Sequence, residues 1–221
     1  MAEQGKVAPA RRRGLADEVA DRIREAVFTG VYALGAQLRE VELSEALGVS
    51  RGPVREALLR LEREGLVRSE WHRGATVTTL SPQDVSEVDS LRGALEQLAV
   101  QLVVSRASDD DITAIETAAR RMERAEDAHE LVRRDIAFHD AVFAATGHQR
   151  LLEAWEAIRS QVHLFLLTRI TLSSDGYLSG IPDEHRELVA VLRARDAGRA
   201  LDLFAEHRRH AFDVLTRHSG T

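Results

Sequence analysis

At 221 residues, 44% hydrophobic and 30% charged with four prolines, the chain is long enough for two compact modules and too apolar to be disordered. It has no cysteine, which excludes a disulfide framework and a thiolate metal site, so any metal must be held by His, Asp or Glu. No apolar run approaches the roughly 18 residues of a membrane span, and the opening MAEQGKVAPARRRG puts no apolar stretch behind its basic cluster, so the expected location is cytoplasmic.

In chain order, residues 1–14 read as a flexible arm. Leu15, Val19, Ile23 and Val27 recur every fourth residue and predict a helix over 15–27. Tyr32 to Gln37, with Gly35, reads as a turn. A short helix follows over about 40–47, with Val41, Leu43 and Leu47 expected inside and Gly48 in the left-handed cap position. Ser50 then caps a third helix over 51–64, whose first turn holds Pro53. Two β-prone runs, 66–68 and 75–80, flank Trp71-His72-Arg73-Gly74 and predict a hairpin wing. From Ser81-Pro82 onward six helices are expected, near 82–106, 109–128, 130–146, 148–172, 183–195 and 198–217, with short connections. The expected fold is mostly α: a winged helix-turn-helix over 15–80 and an antiparallel all-α bundle over 81–221.

The formal net charge of −6 is spread unevenly along this plan. Residues 1–80 hold 13 Lys and Arg against 12 Asp and Glu, whereas residues 81–221 hold 17 against 24. The first module can therefore offer phosphates a basic face while the acid sits in the bundle.

A helix, a glycine turn and a second helix with a polar first turn form a DNA-reading unit, in which the N-terminal end of the second helix enters the major groove. The reader is then Ser50 to Arg60. Arg51 and Arg55 lie four apart on one face, where guanidinium forks pair with guanine or clamp phosphate, and Gly52 permits close backbone approach. Arg73 and Gly74 at the wing tip and Arg39 at the foot of the preceding helix are candidate backbone or minor-groove contacts. Any one of these arginines, taken alone, also reads as a solvated helix face.

In the acidic half, Asp135 and His139 are four apart on one helix face, which is ligand spacing. His185 opens a later helix and His207 lies in the middle of the last, and in a bundle all four could meet inside. One carboxylate and three imidazoles suit Zn(II), Ni(II) or Mn(II) with positions left open for water or a ligand carboxylate. The remaining histidines (72, 129, 148, 163, 210 and 218) read as surface or satisfied core residues.

The segment EVELSEALGVSRGPVREALLRLEREGLV resembles the winged helix-turn-helix of the GntR family, with Ser-Arg-x-Pro-Val-Arg-Glu-Ala-Leu as the specific signature. The likeness continues through Arg73-Gly74 into a second half similar to the FadR subfamily, with its FCD ligand-binding domain, and covers roughly residues 15–215. Leu34 stands where the family has Pro, and His148 where it has Asn. The resemblance implies a homodimer reading palindromic double-stranded DNA through Arg51 and Arg55. It also implies a metal at Asp135, His139, His185 and His207 that helps anchor a small carboxylic acid. Arg92 matches the family's arginine on the first bundle helix, where it would grip the effector carboxylate; on spacing alone it equally reads as an ion pair with Glu96. Arg159, near Trp155 and His163, is a further effector candidate.

The expected function is therefore that of an effector-controlled transcription regulator, a repressor by the family's commoner habit. A metal-responsive regulator, a structural dimer module with a silent metal, and a metal-dependent enzyme are the alternatives. Against the last, no phosphate loop, nucleophile elbow or additional general base is placed by motif. The segment 79–85 and the first bundle helix are the expected couplers between the two halves.

Overall fold

The structure, a computed structural model, describes residues 14–70, 74–172 and 178–218. The arm over 1–13 and the wing-tip residues Trp71, His72 and Arg73 lie outside these. The elements are α1 (Leu15–Phe28), β1 (Gln37–Leu38), α2 (Glu40–Leu47), α3 (Arg51–Arg63), β2 (Val67–Glu70) and β3 (Gly74–Val77). They continue as α4 (Pro82–Arg106), α5 (Asp109–Met122), α6 (Ala128–Ala145), α7 (Gln149–Leu172), α8 (Ile181–Arg193) and α9 (Ala197–His218). The chain is mostly α, a winged helix-turn-helix followed by helices.

The four-residue period of α1 buries Val19, Ile23 and Val27 with Ala16 and Ala20, while Leu15 and, on α2, Val41 are exposed, against expectation. Both lie in the first turn of their helices. Gly48 ends α2 at φ 65°, ψ 33°, the left-handed conformation that only a residue without Cβ adopts cheaply. Ser50 occupies the N-cap of α3 but makes no side-chain cap bond. The wing is antiparallel, Val67 opposite Val77 and Glu70 opposite Gly74.

A third strand, β1, was expected as turn. It pairs with β3 at Gln37–Thr76 and Leu38–Ala75, giving the order β1-β3-β2. Two residues are too few to show a period of two, and its register is set by tertiary bonds: Gly35 donates to the Val77 carbonyl at 3.0 Å and Val77 to Ala36 at 2.9 Å.

Ser81 caps α4 by a reciprocal bond with Asp84, and α4 then packs against α6, α7, α8 and α9. Several bundle boundaries differ from expectation: α8 lies two residues early at both ends, over Ile181–Arg193 and not 183–195. α5 stops at Met122 and not near 128, because Arg124 and Ala125 turn back onto the Arg121 and Met122 carbonyls. α6 starts two residues early, because the Asp127 carboxylate accepts from Glu130 N at 2.7 Å and so caps it. No helix among the described residues is long and apolar enough to cross a membrane.

The N-terminal elements are seated on α6 and α7. Phe28 stacks on His163 with ring centroids 3.5 Å apart and planes 9° from parallel. Arg133 pairs with Glu25 at 2.6 Å. Arg24 grips Glu64 with two bonds of 3.0 and 2.7 Å, and the Ser160 hydroxyl donates to the same carboxylate at 3.2 Å. Near the expected coupler, Arg68 pairs with Asp84 at 3.0 Å.

Candidate functional site

Three helices bring one side-chain cluster together in the bundle interior. α6 supplies Asp135 and His139 one turn apart, α8 supplies His185 and α9 supplies His207, all buried, with one ligand atom from each within 4.8 Å of the others. Bonds to a divalent ion of about 2.0–2.2 Å set its ligand atoms roughly 3–4 Å apart, so small rotamer adjustments would suffice.

The hydrogen-bond pattern shows what the cluster lacks. His185 Nδ1 donates to the Ile181 carbonyl at 2.8 Å. A neutral His185 ring then points a lone pair from Nε2 at Asp135 Oδ1, only 2.7 Å away. Two acceptors face each other, and neither Asp135 Oδ1 nor His185 Nε2 has a hydrogen-bond partner. A buried unsatisfied pair of this kind is costly unless a proton or a cation lies between them. His207 Nδ1 donates to Glu184 at 2.8 Å, and His139 Nδ1 faces Glu96 Oε1 at 3.1 Å. In all three rings Nδ1 faces an oxygen, which leaves Nε2 for the centre, the outer-shell arrangement of metal-binding histidines. The residues fit a divalent ion.

The electrostatics agree. Burial alone would raise the Asp135 carboxyl, but His185 beside it, with His139 and His207, holds it well below the ordinary carboxylate range. Burial and the Arg92 charge lower His139, and burial lowers His207 to about 4 despite Glu184. Glu96 lies at about 2, where Arg92 and His139 override its burial. Lowering His139 and His207 favours their neutral rings, and the carboxylates stay ionised, the forms that bind metal.

Arg92, on α4, is 2% exposed and makes the ion pair with Glu96 that its spacing allowed. Its Nε donates to Glu96 at 2.8 Å and its Nη2 to His139 Nε2 at 2.8 Å, while Nη1 has no partner. Arg159 does not reach the cluster: its Nε and Nη2 donate to the two oxygens of Asp140 at 2.7 and 2.6 Å, beside Trp155 Nε1. Asp140 follows His139 directly, and consecutive helical residues point about 100° apart, so Arg159 serves another face of α6. A cavity of about 230 Å³ between α4 and α9 is lined by Gly93, Glu96, Val100, Phe204 and Arg208 among others, and Glu96 also faces His139 of the cluster.

His163 departs from expectation, since it is 2% exposed with neither ring nitrogen hydrogen-bonded. Burial first, then the Arg159 charge, pushes it down to about 3. The unfolded ring titrates near 6.5, so the unfolded state binds the extra proton, and stability is lost as pH falls from about 6.5 toward 3. His163→Phe keeps the stack and removes the titration; its melting temperature is expected to fall less than that of the wild type between pH 7 and 5. Equal slopes would mean that His163 carries no part of the acid sensitivity.

At the other end of the molecule, a groove between α2, α3 and the wing is lined by Arg39, Glu40, Arg51, Arg55, Ser69 and Gly74 among others. Arg51 and Arg55 project from the first turns of α3, 59% and 61% exposed. Ser50 and Gly52 are exposed beside them, and a Cβ on Gly52 would meet nothing within 4 Å. Arg39 lies at the foot of α2, bonded to Gln37 and Glu42. Gly74, at φ 78°, opens β3; Arg73 lies outside the described residues. Glu40 and Glu184 went unread in the sequence, since an acid on a helix looks like any solvated charge.

Residues 15–77 match the family of bacterial regulatory proteins described as gntR, and residues 87–210, over half the chain, match the FCD domain. The chain is 31% identical over 198 residues to the "probable D-xylose utilization operon transcriptional repressor" of Paenarthrobacter nicotinovorans, covering 89% of this chain and 86% of that one. It is 28% identical over 200 residues to the HTH-type transcriptional regulator YdhC of Bacillus subtilis (strain 168), covering 88% of each. A solved GntR regulator from Rhodococcus sp. RHA1 has the same fold, with a TM-score of 0.78 at 24% identity over 91% of this chain and 97% of that one. The chain belongs to the GntR family and carries an FCD domain; it is a DNA-binding transcription regulator and not an enzyme.

Proposed function

We propose that the protein is a repressor whose grip on operator DNA is controlled by a small carboxylic acid bound at a divalent metal, Zn(II) by its ligand set, in the FCD bundle. The observation that carries this reading is Arg92. Its Nη2 occupies the His139 lone pair that a metal would use, and its Nη1 is buried without a partner. Metal binding and release of Arg92 from His139 are then one event, and the freed guanidinium fork suits a bidentate carboxylate grip. Asp135, His139, His185 and His207 hold the ion, which supplies a Lewis-acidic anchor for one end of the acid. Glu96 and Glu184 orient His139 and His207, and the neighbouring cavity limits the ligand to small size. Arg159, tied to Asp140, orients α6 against α7 and takes no part in the grip.

Leu91 and Leu98 lie exposed two turns apart on α4, and an apolar stripe left on solvent supports a homodimer that presents two readers to a palindrome. Residues 1–14, 15–80 and 81–221 act as arm, reader and sensor. The signal crosses where α6 and α7 carry α1, through Phe28–His163, Arg133–Glu25 and Ser160–Glu64, because α6 also bears two of the metal ligands.

The test uses full-length, zinc-loaded protein and a fluorescent duplex that it selects from a random library. One member of a panel of small carboxylic acids is expected to weaken the duplex at least about 10-fold, and by linkage the duplex must weaken that acid by the same factor. If saturating acids leave the affinity unchanged while zinc alone switches it, the metal itself is the signal and the effector reading fails.

A further inference from the structure

Glu40 is the first residue of α2, and its carboxylate reaches across to the face of α3 that projects from the protein. Oε1 accepts from Arg55 Nε at 3.1 Å and Oε2 from Arg55 Nη2 at 3.0 Å, a two-point grip on one edge of that guanidinium. Oε2 also accepts from Arg51 Nη2 at 3.1 Å. Both arginines are mostly exposed and Glu40 is 27% exposed, so the trio is a surface network tied down at one end. The start of α2 favours the negative charge. The shared pairing raises the Arg55 guanidinium and lowers the Glu40 carboxyl, chiefly by their mutual hydrogen bond.

A guanidinium has five donors on two usable edges. Glu40 occupies the Nε/Nη2 edge of Arg55, and this leaves the terminal Nη1/Nη2 edge pointing outward with two parallel donors. That edge matches guanine O6 and N7. The occupied edge is one that a phosphate would otherwise take, since phosphate and carboxylate compete for the same bidentate geometry. The carboxylate also reduces the charge of the trio from two to one. Sequence-independent affinity scales with the charge brought to the backbone, so this reduction falls mainly on non-specific binding.

We propose that Glu40 is a positioning and specificity-determining residue of the DNA reader, which fixes the edge that Arg55 presents to a base and withholds the other edge from phosphate. The proposal rests on the reading of Arg51 and Arg55 as DNA contacts. It makes Glu40 useful to recognition although it is an acid at a polyanion interface, where charge alone would exclude it.

The test measures full-length protein on two probes, the duplex it selects from a random library and a random-sequence duplex of equal length, at several salt concentrations. Glu40→Gln is expected to bind the random duplex several-fold tighter with a steeper salt dependence, by about one phosphate equivalent per reader. Its preference for the selected duplex is expected to fall about 10-fold, one well-placed base contact. Glu40→Asp keeps the charge but is one methylene too short for the two-point grip: its salt slope stays wild-type while preference falls. Glu42→Gln, in the same first turn and paired with Arg39, controls for helix stability and is expected to change neither quantity. If Glu40→Gln matches Glu42→Gln in preference and slope, the proposal is overturned. If Arg55→Ala in parallel also leaves the selected duplex unaffected, the reader assignment has failed instead.

Discussion

His185→Ala is expected to lower bound divalent metal from about one ion per chain to below about 0.1, because the metal's binding free energy depends on a complete set of deprotonated ligands. Three of the four ligand atoms would remain, but the substitution also removes the ring that fixes Asp135 Oδ1 at 2.7 Å. Asp135→Asn tests the same centre in another way, since it keeps the shape and removes the one anionic ligand. It leaves three imidazoles beside the Arg92 cation without the negative charge that offsets it, so metal affinity is expected to fall. Glu184→Gln, which only orients His207, is expected to cost about 10–100-fold in metal affinity. The second readout is thermal. Metal at 100 times its dissociation constant stabilises by about 2.7 kcal/mol. In a chain of this size 1 kcal/mol moves the melting temperature roughly 2–4 °C. Zinc should therefore raise the wild-type melting temperature by about 5–11 °C and leave His185→Ala unmoved. Elemental analysis that finds wild-type metal in His185→Ala would overturn the four-residue site.

The fold was legible where one residue controls the backbone and where a period runs for several turns. Gly48, the Ser81–Asp84 cap and the α1 stripe are of this kind, and each stands where the sequence puts it. β1 was not legible, because two residues whose pairing with Thr76 and Ala75 is set by tertiary bonds carry no local signal. The extra turns expected of α5 came from its continuing helical composition, which the turn at Arg124 and Ala125 interrupts.

The candidate site divides in the same way. Asp135 and His139 announce themselves by i, i+4 spacing, while the arrival of His185 and His207 at the same point depends on how α8 and α9 pack and was implied only by the family likeness. Glu96 stands one turn from Arg92 and was read as its ion-pair partner, which it is. Its second contact, with His139, exists only because α4 lies against α6. Phe28 and His163 were invisible for a related reason. Phe28 falls outside the every-fourth-residue stripe of α1, and a lone histidine on an apolar helix face gives no sign of what will stack on it. Long-range contacts of buried polar groups are set by packing, and periodicity reports only which face of an element is buried.

Arg55→Ala is expected to weaken the selected duplex far more than a random one. A bidentate contact to guanine contributes about 1–3 kcal/mol of discrimination, and a dimer loses it at both half-sites, so the specific complex should weaken by roughly 30-fold to 10⁴-fold. A phosphate contact behaves differently: Arg39→Ala should weaken both duplexes by a similar factor and lower the salt slope by about one per reader. Two secondary effects separate recognition from charge. Arg55→Lys retains the cation but has no fork, so it should recover non-specific affinity without the preference. Arg55→Ala also leaves Glu40 held by Arg51 alone, an under-neutralised carboxylate facing DNA, and this repulsion adds to the loss. Adding Glu40→Gln to Arg55→Ala should therefore restore part of the affinity for random DNA and none of the discrimination. Fluorescence anisotropy at three or more salt concentrations resolves these contributions. An Arg55→Ala affinity for the selected duplex within twofold of wild type would remove α3 as the source of specificity and leave the wing and the arm to supply it.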